Sequence, residues 1–309
     1  MHKGFKEPGG LMWRVEPMCT VLKDHYGVAL SPSGYYAFKK RMPSARSLRD
    51  EELKEKIVQI YKENLECYGV RKIWHALLNE GTGVGRERVA RLMRQLGLKG
   101  ARRLKAVRTT IAGKNAKSAE DLIRRNFHAD APNRVWVADF TYVSTWEGWC
   151  YVAFIIDVFA RRVIGYDVSV RMNKAMVARA FNMAVWMRAC EGHDDLSGLI
   201  HHNDKGSQYT AEGFVNLLAL YGIRASIGTV GDSYDNALAE SMNGSYKAEL
   251  VWNKGPWRSY EELNRATAEW VCWHNESCIT EYNGYRSAAY IEEKWYSEKV
   301  DLRKRRKVS

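Results

Sequence analysis

Hydrophobic positions divide this chain into two regimes. From residue 49 they recur every third or fourth place. Leu53, Ile57, Ile60 and Tyr61 predict a helix over 49–66, with acids at its N-terminal end, that Gly69 breaks. Ile73, Trp74, Leu77 and Leu78 predict a second over 70–79, and Val89, Leu92, Met93 and Leu96 a third over 86–96. The glycine-rich run 81–85 lacks Gly-x-Gly-x-x-Gly order and follows no strand, so it reads as an inter-helix turn, not a nucleotide loop. Upstream, 12–22 suits a short helix. The turn chemistry of Ser31-Pro32-Ser33-Gly34 opens another, with Tyr35, Tyr36 and Phe38 as its packing residues. A short helix also fits 119–127, and Pro132-Asn133 marks a boundary.

Beyond that boundary the period changes to two. Residues 134–143 alternate and predict a strand with Asp139 in its middle. Glu147-Gly148 make a turn, and 150–159 and 162–169 add two strands to form an antiparallel meander. A long helix over 174–190 turns Met176, Val177, Ala180, Phe181, Ala184 and Val185 to one side. A strand at 198–202, a helix at 211–220, a strand at 223–227 and helices at 235–250 and 260–273 follow. This order predicts an α/β fold: a mixed five-stranded sheet with flanking helices, preceded by an all-α region. The chain divides into an N-terminal helical segment (1–48), a helix-turn-helix domain (49–98), a basic linker (99–131), the α/β domain (132–296) and a disordered basic tail (297–309).

Charge separates the regions further. The net charge is +12, which suits a polyanionic partner. Residues 1–129 hold 27 Lys and Arg against 13 Asp and Glu, whereas 130–309 hold 21 against 23. The first part therefore reads as the polyanion grip, and the second as a part that needs carboxylates. Arg86, Arg88, Arg91 and Arg94 crowd the polar surface of the third helix, where they meet phosphates and groove edges or simply solvate a three-helix bundle. Lys99, Arg102, Arg103, Lys105, Arg108, Lys114 and Lys117 run through the linker with no acid among them, as a segment lying along a nucleic-acid backbone would. The six cysteines are scattered without metal-binding spacing, which fits a reducing cytoplasm. No signal peptide opens the chain, and the most apolar run, 149–160, is too short to span a membrane and contains Asp157.

The candidate chemistry lies in three acids. Asp139 sits within a strand, where a carboxylate is costly unless paired or bound to a cation. Asp204 ends the 198–202 strand region, and Glu240 lies on a helix. Asn236, Glu240, Asn243 and Lys247 fall on one polar stripe of that helix, while Leu238, Ala239 and Met242 can face the sheet. Taken singly, each acid suits a turn, an edge or a solvated helix face. Together, three carboxylates without thiols select a hard ion, Mg²⁺ or Mn²⁺, and two such ions about 4 Å apart would clamp the oxygens of a phosphodiester.

Asp139-Phe140-Thr141-Tyr142, the run from His202-Asn203-Asp204-Lys205 to Gln208-Tyr209, and Tyr234-Asp235-Asn236-Ala237 through Glu240-Ser241 resemble the three acid motifs of an integrase-core transposase. Thirty-five residues separate Asp204 from Glu240, and a lysine lies seven beyond it. Upstream, Ser33-Gly34-Tyr35-Tyr36, Tyr68-Gly69-Val70-Arg71 and Arg88-Val89-Ala90-Arg91-Leu92-Met93 resemble the helical region of the same family. The family is the insertion-sequence-three transposases, in their second-reading-frame form. The resemblance implies an RNase H-like integrase catalytic core and a DDE mechanism. Asp139 would bridge two Mg²⁺ ions, with Asp204 and Glu240 completing one each, and Mn²⁺ would substitute. Water would nick the element end, and the freed 3′-OH would attack target DNA, with no covalent enzyme intermediate. Lys247 would contact DNA near the reacting phosphate, joined by Asn236, Asn243 and Lys205, while His202 and Gln208 would order the surrounding loops.

The resemblance also implies DNA partners (the terminal repeats and the target), at least a dimer in the complex that joins two ends, and a frameshifted fusion with an upstream-frame product. A bacterial cytoplasm, at the nucleoid, is the implied setting, with no membrane partner. The chain departs from the family mildly at Asn203 and Lys205, and more strongly over 275–288, where an Arg-Leu-His run gives way to Ser277-Cys278-Ile279-Thr280. A decayed or repurposed DNA-binding protein therefore stands as the alternative. A ribonuclease H-like nuclease would share fold and metals, but the helix-turn-helix region argues against it.

Overall fold

A computed structural model describes residues 14–103, 121–204, 212–228 and 236–308. The chain forms two compact units, Met1–Leu53 and Lys54–Ser309. In the first, α1 (Val15–Tyr26) closes on Gly27, whose φ of 65° supplies the left-handed cap that side chains resist. The predicted Ser-Pro start of α2 (Pro32–Lys40) is present: Ser31 Oγ accepts from Gly34 N at 3.0 Å, with Pro32 in the first turn. The long helix α3 (Ala45–Glu63) begins in this unit and ends in the next.

In the second unit, α4 (Val70–Asn79) and α5 (Arg86–Gln95) pair through Ile73, Leu77, Val89, Leu92 and Met93, all buried as their spacing predicts. Trp74 Nε1 donates to Val84 O at 2.8 Å, which holds the intervening glycine turn. The sheet elements follow: β1 (Val135–Thr145), β2 (Gly148–Asp157), β3 (Arg162–Ser169), α6 (Lys174–Cys190), β4 (Ile200–Asn203), α7 (Glu212–Leu220) and β5 (Arg224–Ile227). The chain ends in α8 (Ala237–Tyr246), a π-helical turn (Lys247–Val251), α9 (Trp252–Lys254), α10 (Tyr260–Glu276) and α11 (Ala288–Val308).

The five strands lie in the order β3-β2-β1-β4-β5. β1, β2 and β3 form the antiparallel meander, and β4 and β5 join β1 in parallel. One face buries Trp136, Ala138 and Ile155 against Phe181 and Ala184 of α6 and Phe214 of α7. α6 lies close enough to β3 that a Cβ on Gly165 would overlap the Ala180 carbonyl, so only glycine fits there. On the opposite face Phe154 meets Tyr246 and Trp270 at 5.1 and 5.8 Å between centroids, and Tyr246 shares a 2.7 Å hydroxyl hydrogen bond with Thr267. This second face carries Asp139, which lies opposite Phe154 in the strand register.

Three local expectations change. Residues 121–127 are bends and turns rather than a helix. Asp121 Oδ1 accepts from the amides of Ile123 and Arg124 at 2.9 and 3.0 Å, a turn that competes with helical bonding. The helix over 235–250 is interrupted, with α8 passing into the π-helical turn at Lys247. The basic tail is helical: α11 runs on to Val308, as its Lys, Arg and Glu content favours.

Two polar clusters tie the second unit together. Arg188 is fully buried and pairs with Asp157 at 2.8 Å, Glu292 at 2.9 Å and Glu191 at 3.0 Å. Arg162 binds Glu292 at 2.8 Å and Glu191 at 2.7 Å, so α11 is anchored to the sheet through Glu292. The second cluster docks α4 onto the core. Tyr68 OH accepts from Ile279 N at 2.9 Å, and Lys72 Nζ lies 3.3 Å from Glu249 Oε1 and 3.2 Å from Cys278 Sγ. Arg71 adds a 2.8 Å pair with Glu281.

Candidate active site

Asp139 and Asp204 are brought together by backbone register. Ala138 of β1 pairs with Asn203 of β4, and each acid is the next residue along its strand direction. Parallel neighbours lie about 4.8 Å apart, so the two carboxylates start from adjacent positions at the same level. Asp139 is held at both oxygens: Phe140 N donates to Oδ1 at 2.8 Å and Asn243 Nδ2 to Oδ2 at 2.9 Å. Desolvation, with the nearby Asp204 and Glu240 charges, raises Asp139 well above the usual carboxylate range despite those two bonds. Glu240 projects exposed from the first turn of α8 and is raised by desolvation and by Asp204.

These shifts record three negative groups within electrostatic reach of one another. An all-oxygen donor set with unrelieved repulsion fits a hard divalent cation. Leu238, Ala239 and Met242 are buried, as the helix pattern predicts, and they fix which side of α8 carries Glu240.

Family models match most of the chain. An integrase core domain model matches residues 129–233, a second integrase core domain model matches 221–277, and an HTH-like domain model matches 48–106. The chain is 48% identical over 270 residues to a putative transposase for insertion sequence element IS986/IS6110 of Mycobacterium tuberculosis, covering 87% of this chain and 97% of that protein. It is 44% identical over 293 residues to the transposase for insertion sequence element IS629 of Shigella sonnei, covering 91% and 96%. The chain belongs to the insertion-sequence transposases. The integrase-core half makes it a polynucleotidyl transferase of the DDE class. It is also similar to the HTLV-2 integrase catalytic core domain solved with magnesium, at 18% identity and a TM-score of 0.40, covering 53% of this chain and 98% of that one.

In this transposase two residues of the polar stripe make hydrogen bonds within the protein. Asn243 is buried and spends its amide on Asp139. Asn236 is also buried, and its Nδ2 donates to Ala138 O at 3.1 Å, joining the start of α8 to β1. Helical spacing groups polar residues without saying which meet water and which meet a buried acid. Lys247 is partly exposed, with Nζ 4.6 Å from the centroid of the Tyr142 ring.

His202 is fully buried behind Asp204, sharing a 2.9 Å hydrogen bond between Nδ1 and Ser226 Oγ. That bond ties β4 to β5, which suits a supporting part. Arg103 reaches α8, where Nη2 donates to Ser245 Oγ at 2.8 Å and Ser241 O at 3.1 Å. Arg86 is exposed and pairs with Glu87 at 3.1 Å, Arg94 and Arg102 are exposed, and Arg88 and Arg91 are partly exposed. Lys205 and Gln208 lie outside the described residues.

The segment that departs from the family has structural work in this chain. Asn275 exchanges two hydrogen bonds with the Val163 backbone, at 2.9 and 2.7 Å, and Asn283 donates to Ala160 O at 2.8 Å. Cys278 joins Glu249 and His274 in a cluster whose donor atoms all lie within 4.8 Å of one another. His274 and Cys278 are four residues apart at the end of α10, and the distant Glu249 of the π-helical turn completes the cluster. The charge that such donors offer a metal is already met by the Lys72 ammonium. Among the described residues no helix is long and apolar enough to cross a membrane.

Proposed function

We propose that this transposase binds the DNA ends of its element and moves them by divalent-cation-dependent phosphodiester chemistry at Asp139, Asp204 and Glu240. The adjacency of Asp139 and Asp204 across the Ala138–Asn203 register supports this most strongly. Asp139, reached electrostatically by both other acids, would hold two Mg²⁺ or Mn²⁺ ions, with Asp204 and Glu240 completing one each. When bound, such ions polarise the phosphodiester and stabilise its attacking and leaving oxygens.

The protein's own groups set the geometry. Asn243 and the Phe140 amide fix the two oxygens of Asp139, and Asn236 fixes the strand beneath it. Lys247 lies seven residues beyond Glu240, about 10 Å along the helix, where its ammonium meets a phosphate flanking the reacting one. The exposed arginines of α5 and Arg102 grip the duplex through charge, so binding weakens steeply with salt. Water attacks the phosphodiester at the element end and releases a 3′-OH. That hydroxyl then attacks a target phosphodiester, forming one P–O bond as another breaks, with the target's 3′ oxygen leaving. No side-chain nucleophile is required.

Joining two ends needs at least two copies of the chain, and a frameshifted product with an upstream frame would supply further end recognition. The work would be done on DNA in the cytoplasm. The test is a strand-transfer assay on labelled element ends with Mn²⁺. Activity that Asp204→Asn abolishes supports the reading. DNA binding without activity in any form supports the decayed DNA-binding alternative instead.

A further inference from the structure

Lys247 does not stand alone on its surface. Its ammonium lies 4.6 Å from the centroid of the Tyr142 ring, and Tyr142 meets Trp149 edge-on at 5.3 Å and 78°. Tyr142 pairs with Tyr151 and Ser144 with Trp149 in the β1–β2 register, so the two rings share one face of the hairpin. Pairing with β4 ends at Ala138, and farther along β1 Thr145 makes a single parallel bridge to Trp257. Both rings are open to solvent, Trp149 by 56% and Tyr142 by 38%. At the turn of the same hairpin Trp146 is 70% exposed, with the Arg258 guanidinium 5.8 Å from its centroid.

Singly exposed aromatic residues are ordinary, but here ring and cation are paired twice on one hairpin. Such a surface suits a ligand that offers a flat π-face and an anion side by side. An unpaired nucleotide does so: its base stacks on the rings and its phosphate meets the ammonium. An apolar protein partner would have to bury the ammonium without compensation.

Tyr142 is three residues beyond Asp139, so its ring leaves the other face of β1. The Lys247 ammonium, one helical turn beyond the Asn243 that binds Asp139, reaches that ring and links it to the acids. We propose that Tyr142, Trp149 and Lys247 form a stacking platform for an unpaired base beside the cut, so that the enzyme frays the DNA end on which it acts. The proposal rests on the DNA-processing reading given above.

The experiment uses the full chain and an oligo(dT) strand carrying one 2-aminopurine, free or annealed to its complement. Binding is read by anisotropy and stacking by quenching of 2-aminopurine fluorescence. The expected result is quenching with the free strand, absent in fully paired duplex. The double variant Tyr142→Ala/Trp149→Ala should lose the quenching and bind the free strand about tenfold more weakly, with an unchanged melting temperature. Trp149→Phe should retain both. Equal quenching and affinity in the double variant overturn the proposal. So does an unaltered chain that quenches nothing, or rings whose only measurable role is self-association in sedimentation. If strand transfer fails under all conditions while quenching still follows the rings, the catalytic reading falls and the platform stands.

Discussion

Asn243 Nδ2 lies 2.9 Å from Asp139 Oδ2, so the helix that bears Glu240 also orients a carboxylate of the central strand. The helix bearing Glu240 and the strand bearing Asp139 are thus joined by one hydrogen bond, and the two acids interact through charge. Asn243→Ala frees one oxygen of Asp139 to rotate. Removing such an outer partner of a metal-binding group commonly costs 10–100-fold. The expected outcome is a loss of about that size in strand transfer, a higher Mn²⁺ concentration at half activity, and little change in melting temperature. A variant that loses activity with an unchanged Mn²⁺ dependence would separate Asn243 from Asp139.

Lys72 supplies a second test, of how the helix-turn-helix module is held. Its ammonium neutralises Glu249 at 3.3 Å and lies 4.9 Å from the Tyr68 ring centroid. Lys72→Met leaves Glu249 partly buried and unpaired. The expected cost is about 2–3 kcal/mol by urea denaturation, below the range for fully buried pairs because both side chains keep some exposure. Adding Glu249→Gln should recover part of the loss.

The Arg188 network should be less tolerant. Arg188→Met strands the buried Asp157 and Glu292 carboxylates, at about 3–5 kcal/mol. Thermal unfolding checks this, and an unchanged midpoint would show that α11 is held mainly by its apolar contacts.

His201 makes the fold acid-sensitive. Burial between Phe181 and Phe214 pushes its imidazole down to about 4. A group whose folded value is depressed contributes stability that is present above its unfolded value, near 6.5, and is lost as pH falls through the folded one. Stability should therefore decline between about pH 6.5 and 4 by up to ~3 kcal/mol from this group. His201→Leu, followed by denaturation at each pH, should flatten that decline.

Much of this was legible in sequence because the decisive signals are local. Alternation around Asp139 announced β1, and the 3.6-residue pattern of Leu238 and Met242 announced which side of α8 meets the sheet. β4 is only four residues long, so its parallel register with β1, which sets Asp204 beside Asp139, was inferred from the acids rather than from the strand. The fates of Asn236 and Asn243 were not legible. They share a stripe with exposed Glu240, and only the strand they face decides that their amides are buried. Lys72 and Glu292 escaped notice for a related reason. Each is an ordinary polar residue until an element more than a hundred positions away supplies its partner.

In the proposed function, Asp139, Asp204 and Glu240 act as one divalent-cation site. Mn²⁺ binding by electron paramagnetic resonance tests it most directly, with the unaltered chain compared with Asp139→Asn, Asp204→Asn and Glu240→Gln at equal folded concentration. The expected result is tight binding that Asp139→Asn abolishes and each of the other two substitutions weakens. Identical Mn²⁺ binding in the unaltered chain and in Asp139→Asn would contradict it.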